Sequence, residues 1–242
     1  VQDYQLSVTN GTDKLRYYLS GGFTGENGVI VSSNFKRYNI RGSIENDISN
    51  WLTINASVAY SDYTYKGTGI ISGTGSDRGG VIPAILSTPT YGPIWDPEHP
   101  GQYYSDFYGV NVDGPLENIA RTKDNKNQYN KLLASGKAIV RLLPELTWTS
   151  TVSFDRVSSI TTNFLDPKLT RSTGTVWTFD NVVNWEKKLG RHGFGAMAGS
   201  SWTKSNWSQN YINGSDYAND DIRTLNAANR ISWDGTGSSG SD

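Results

Sequence analysis

The chain has 242 residues, 22 Lys and Arg against 23 Asp and Glu, two histidines, one methionine and no cysteine. A net charge of −1 offers nucleic acid no electrostatic footprint, and the lack of cysteine excludes disulfide scaffolds, thiolate metal sites and cysteine nucleophiles. No apolar run approaches the roughly 18 residues of a membrane-spanning helix, and VQDYQLSVTN at the start lacks the pattern of a signal peptide.

Along the chain the dominant signal is alternation with period two, the mark of strands with one apolar and one polar face. Tyr4, Leu6 and Val8 oppose Gln5, Ser7 and Thr9. Leu15, Tyr17, Leu19 and Phe23 oppose Arg16, Tyr18, Ser20 and Thr24. Tyr38, Ile40 and Ile44 then oppose Arg37, Asn39, Arg41, Ser43 and Glu45. Leu52, Ile54, Ala56, Val58 and Tyr60 oppose Thr53, Asn55, Ser57, Ala59 and Ser61. The pattern resumes at Leu132–Leu142 and Leu146–Asp155, then at Trp177–Glu186 and Phe194–Thr203. About eight strands are predicted. Several alternate for ten residues or more, whereas soluble strands average about 5–6 and a membrane-crossing strand needs about 9–11.

The connections alternate as well. Asn10–Lys14, Asn46–Asn50, Leu143–Glu145 and Lys187–Arg191 are short. Gly25–Ser33, Lys66–Lys126, Phe164–Ser172 and the stretch after Lys204 are long. Short turns on one side and long loops on the other follow the plan of outer-membrane barrels, with the turns periplasmic and the loops extracellular. The final GTGSSGSD reads as an unfinished Gly/Ser loop. Tyr17, Trp148, Trp185 and Phe194 fall low on the apolar face, and Phe23, Tyr60, Phe154, Trp177, Phe179 and Trp202 fall high, as two interfacial belts require. On the other face Arg37, Asn39, Arg41, Thr53 and Asn55 are predicted to line the lumen, with Lys131, Lys137, Arg141, Asp155, Asp180 and Glu186. So many charges crowd an eight-stranded interior, which is only wide enough for side chains. A section of a larger barrel removes that difficulty.

Loop 66–126 carries Tyr91, Trp95, Tyr103, Tyr104, Phe107 and Tyr108, interleaved with Asp96, Glu98, Asp106 and Asp113. Rings that stack on sugars and carboxylates that bind hydroxyls suit an oligosaccharide, and the same groups suit a peptide. These six aromatics are the candidate ligand-binding residues. Val81–Leu86 is predicted to form a short helix docked by Ile82 and Leu86. The glycine-rich stretch Gly67–Gly80 lacks the Lys-Ser/Thr of a phosphate loop and reads as plain loop. Asp216, Asn219, Asp220 and Asp221 match no calcium-loop spacing. No catalytic constellation, metal site or cofactor motif is expected.

The stretch from Asp3 to Tyr60 resembles the early barrel of SusC/RagA-type TonB-dependent outer-membrane transporters. The resemblance rests on YYLSGG at Tyr17–Gly22, the acidic-Gly loop Glu26–Gly28, F-x-R-Y-N-x-R at Phe35–Arg41 and Trp51–Leu52. Ile82–Pro93 and Trp185–Met197, with Gly190 and His192, resemble further family segments. What the resemblance implies is an all-β, antiparallel up-and-down transmembrane barrel domain over residues 1–242, in part only, without the plug domain. It further implies the outer membrane of a Gram-negative bacterium, nutrient import (an oligosaccharide or other nutrient), a SusD-like surface lipoprotein and coupling to TonB, with no enzymatic activity. Two other readings stay open at this point: a complete small eight-stranded barrel serving as adhesin or structural protein, and a soluble all-β carbohydrate-binding module. The chain alone is expected not to form a monodisperse soluble monomer, because an open sheet exposes two unpaired edges.

Overall fold

The computed structural model describes residues 1–67, 81–104, 106–107, 110–111, 114–163, 168–218 and 225–241. In chain order the elements are β1 (Gln2–Gly11), β2 (Leu15–Asn27), β3 (Asn34–Ser49), β4 (Leu52–Lys66) and helix α1 (Val81–Ser87). The short pair β5 (Asp106–Phe107) and β6 (Val110–Asn111) follows, then helix α2 (Pro115–Thr122). The chain continues through β7 (Lys126–Leu143), β8 (Leu146–Asn163), β9 (Lys168–Leu189), β10 (His192–Tyr217), a 3-10 turn at Leu225–Ala227 and β11 (Ala228–Ser241).

All the long strands form one antiparallel nine-stranded sheet in the order β1-β2-β3-β4-β7-β8-β9-β10-β11, each paired only with its sequence neighbours. That is up-and-down topology, and the sheet is open among the described residues. The short connections 12–14, 50–51, 144–145 and 190–191 all leave from one end. At 190–191 Gly190 takes φ 61, the left-handed first position that a two-residue primed hairpin turn demands.

One more strand exists than the alternation predicts. The GTGSSGSD run is not a loop: through Ser241 it is the second half of β11, pairing along β10 from Asn210↔Gly235 to Lys204↔Ser241. Gly and Ser offer no contrast between faces, so period two is invisible there. It is the 26-residue length of β10 that supplies an edge to pair with. β10 itself runs on to Tyr217, well past Lys204.

Which face looks outward is decided by exposure. In β4 Ile54, Ala56, Val58 and Tyr60 are exposed, while Thr53, Asn55, Ser57 and Ala59 are buried or half-buried. The apolar face is therefore the outer one, and the polar face is the hollow one. Among the described residues only two apolar side chains are buried, Val81 and Ala84, and both lie in α1. A soluble sandwich would seal Leu52, Ile54 and Val58 between sheets, so that reading is overturned. A polar group on the outer face finds a partner within it: the Trp148 indole donates to Asn181 Oδ1 at 3.2 Å.

The outward rings descend across the sheet in regular steps. The ladder row through Phe23 and Tyr38 continues across Asp62, Asn130, Ser158 and Thr173 to Ser208. The upper rings step down from it, through Tyr60, then Phe154 and Trp177, to Trp202, six positions below Ser208 after six strand-to-strand steps. A drop of one residue (about 3.3 Å) per strand (about 4.8 Å) gives a level belt when strands tilt by about 35°. Outer-membrane barrels tilt by about 35–45°.

Candidate functional site

The hollow face is arranged in tiers. At the short-turn end the Arg16 guanidinium bonds Glu45 and, at 2.9 Å, Asp47 Oδ2. Asp47 Oδ1 accepts from the Thr53 hydroxyl at 2.7 Å, and Arg141 Nη1 donates to Thr53 Oγ1 at 3.3 Å. Thr53 is consequently buried although no apolar core surrounds it. Asn55 stands on the row of Glu45 and Lys137.

The middle tier is hydroxyl-rich. Ser57 and Ser135 share a hydrogen bond of 2.8 Å. Beside them lies a hollow of about 500 Å³ lined by Arg41, Ala59, Leu133, Asp155, Val176 and Thr178 among others. Asp155 Oδ2 is 3.5 Å from Lys131 Nζ, and its Oδ1 has no partner among the described residues. Arg37, Asn39 and Arg41 share this face, Arg37 and Arg41 exposed and Asn39 half-buried.

The upper tier was not anticipated from the sequence. Phe35, Tyr63, Tyr65 and Tyr129 form an aromatic cluster on the hollow face, with Tyr63 stacked on Tyr129 at 4.9 Å and Phe35 against Tyr65 at 4.8 Å. Phe35 and Tyr65 line a second hollow of about 390 Å³ with Glu26, Asn34 and Asn127. The signal was present: along β4 the rings change from even to odd positions after Tyr60.

The long loop holds its aromatics in a separate small unit. Trp95 and Tyr103 face each other across an isolated antiparallel bridge, rings stacked at 4.7 Å. Tyr104 lines a hollow of about 160 Å³ with Ile94 and Leu116, and Tyr91 is 82% exposed. Phe107 supplies backbone to β5, and Tyr108 lies outside the described residues. So do 68–80 and 219–224, which include most of the glycine-rich stretch and of the acidic run. Docking of α1 is the reverse of the expectation. Val81 and Ala84 are buried (1% and 0% exposed), while Leu86 is 82% exposed and Ile82 37%. Helices α1 and α2 pack together, and α2 was missed although its eight residues carry a clear amphipathic pattern at helical spacing.

No protein-family profile matches the chain. Two TonB-dependent receptors of Formosa agariphila are 22% and 24% identical to it over 218 and 221 residues. Each match takes in 84% of this chain and 21% of the relative, so the chain spans about one fifth of the curated relatives it matches. The structure of the RagAB peptide transporter superposes with a TM-score of 0.73 at 17% identity, over 98% of this chain and 28% of that one. The fold is that of a TonB-dependent receptor barrel. The ferripyoverdine receptor of the Pseudomonas aeruginosa outer membrane shares it at a TM-score of 0.61, 13% identity, 99% of this chain and 32% of that one.

In the long loop one acid already has a local role. Asp96 Oδ1 accepts from the backbone of Glu98 at 2.8 Å, and Oδ2 contacts His99 Nδ1 at 2.9 Å. That bond and the carboxylate charge raise the His99 pKa, and the His99 bond holds Asp96 below its usual value. The His99 contribution to the loop turn is present below about pH 6.5 and lost as pH rises through its raised midpoint. The Asp96 contribution is present above its ordinary range and lost as pH falls through the lowered one. In an NMR titration His99 is expected to titrate above about 6.5, and Asp96→Asn to bring it back there. An unchanged midpoint in that variant overturns the pairing.

Proposed function

We propose that this chain is one section of a larger outer-membrane barrel that imports a nutrient, with oligosaccharides as the cargo. The observation that carries the reading is the inverted polarity: exposed Ile54, Val58, Trp177 and Phe179 outside, and Arg37, Asn39, Arg41, Thr53 and Asn55 within. An outer face of that kind is at home in acyl chains, and a charged inner face at home in water or against a polar plug. The open nine-stranded sheet supports a barrel with further strands on both edges. In this reading residues 66–126 are an extracellular loop, and Tyr91, Trp95, Tyr103, Tyr104, Phe107 and Tyr108 meet substrate or a SusD-like surface lipoprotein. TonB acts through a plug in another part of the molecule. Ring faces interleaved with carboxylates suit sugars; the peptide cargo named for RagAB supplies the second reading.

The test is growth. A strain lacking the whole protein is expected to lose growth on neutral oligosaccharides as sole carbon source and to keep it on a peptide digest, and the intact gene restores it. Loss on peptides alone exchanges the cargo. Recovery of the protein from the aqueous fraction with no growth defect overturns transport itself.

A further inference from the structure

Beyond the upper rings, the outer face changes in charge as well as in polarity. Lys36, Lys66, Lys126, Arg156, Arg171 and Lys204 all stand on outward rows above that level. Against them are Asp62, which already accepts from Asn130 Nδ2 at 2.6 Å, and Asp216 near the tip of β10.

Two of these cations are placed together. Arg156 is two residues beyond Phe154, and Lys204 two beyond Trp202, with Trp177 between them on β9. The row of Arg156 crosses β10 at Asn206, two positions above Lys204 after two strand steps. Since the ring belt falls by one residue per strand, the two cations are level. At about 4.8 Å between strands and a tilt of about 35° they stand about 12 Å apart at one height. Both are exposed, and neither is in an ion pair among the described residues. At the short-turn end, by contrast, the outward Lys187 already has Glu145 at 3.9 Å.

We propose that Arg156 and Lys204, framed by Phe154, Trp177 and Trp202, form a site for a phosphorylated glycolipid of the outer leaflet. The guanidinium fork and the ammonium take headgroup phosphates, and the rings lie against the sugar and the first acyl carbons. The site rests on the outer-membrane reading above. Two cations at the headgroup level are worth about tenfold or more in affinity for an anionic lipid.

The experiment uses the full-length receptor in detergent, with lipid A bearing two phosphates as probe and its phosphate-free analogue as control. Wild type is expected to retain the bisphosphorylated lipid in native mass spectrometry, and Arg156→Gln combined with Lys204→Gln to lower the bound fraction about tenfold. The phosphate-free analogue is expected to bind equally weakly to both, and millimolar inorganic phosphate to displace nothing. Heat-modifiable migration in gels confirms that the variant is folded. Equal retention by wild type and variant, equal retention of the phosphate-free analogue, or displacement by inorganic phosphate overturns the lipid site. Such results from a receptor that partitions into membranes leave the transporter reading intact, whereas recovery from the aqueous fraction removes the reading beneath it.

Discussion

Ala56→Arg is expected to prevent or severely weaken barrel assembly, while Ser57→Arg, one residue away, is tolerated. Ala56 stands midway between Leu52 and Tyr60 on the exposed face, with Ile44 and Gly136 as its ladder partners. In the proposed membrane setting a guanidinium there meets the centre of the acyl layer, where Arg on the lipid face of a barrel costs about 2–4 kcal/mol. Ser57 points the other way, to Ser43 and Ser135, and lines the hollow of about 500 Å³. Its replacement loses the Ser135 hydrogen bond, about 1 kcal/mol, and gives the new cation water. The measurement is the heat-modifiable fraction and its unfolding midpoint in detergent, made on the whole protein. If Ser57→Arg proves the damaging change and Ala56→Arg the mild one, the faces are reversed, and neither the membrane nor the lumen assignment survives.

That contrast also explains what could be read from the sequence. Where one face is apolar and the other polar, alternation is at its strongest, and the registers of Leu15–Phe23, Tyr38–Ile44, Leu52–Tyr60 and Trp177–Trp185 agree with the face assignments residue by residue. Above the ring belt many outward positions are polar and rings enter the inner face, so the contrast weakens and the strands continue unseen: Gln128 and Asn130, Thr173 and Thr175, Ser208 and Asn210 all face outward. That is why β10 was expected to stop near Lys204 and why β11 was read as a loop. The loop aromatics were legible as a cluster, but not as a fold, because the Trp95–Tyr103 stack depends on a two-residue bridge rather than on any period. The ring tier Phe35, Tyr63, Tyr65 and Tyr129 was hidden for a different reason. Its members come from three strands, and only the register brings them together.

Excision of loop 67–125 should separate the scaffold from what it carries. Lys66 and Lys126 are already ladder partners, and the Gly67 amide donates to the Asn125 carbonyl at 3.0 Å, so β4 and β7 end side by side. Gly67 itself sits at φ 99, a conformation a glycine-containing hairpin turn reproduces. An Asn-Gly turn in place of the loop therefore needs no movement of either strand. Closure entropy changes by only about 0.6 kcal/mol per halving of loop length, in favour of the shorter loop. Two like charges left facing each other cost a few tenths of a kcal/mol. The buried contact of Val81 and Ala84 lies inside the excised unit and is lost as a whole, without leaving a cavity in the sheet. The shortened protein is thus expected to assemble with an unfolding midpoint equal to or above that of the parent. Retention of the proposed oligosaccharide cargo is expected to fall at least about tenfold, the loss of about 1.4 kcal/mol that removal of one or two aromatic anchors produces. Undiminished retention by an assembled barrel would move the binding site off Trp95 and its neighbours and onto the wall, where Phe35 and Tyr65 already flank a hollow of the right kind.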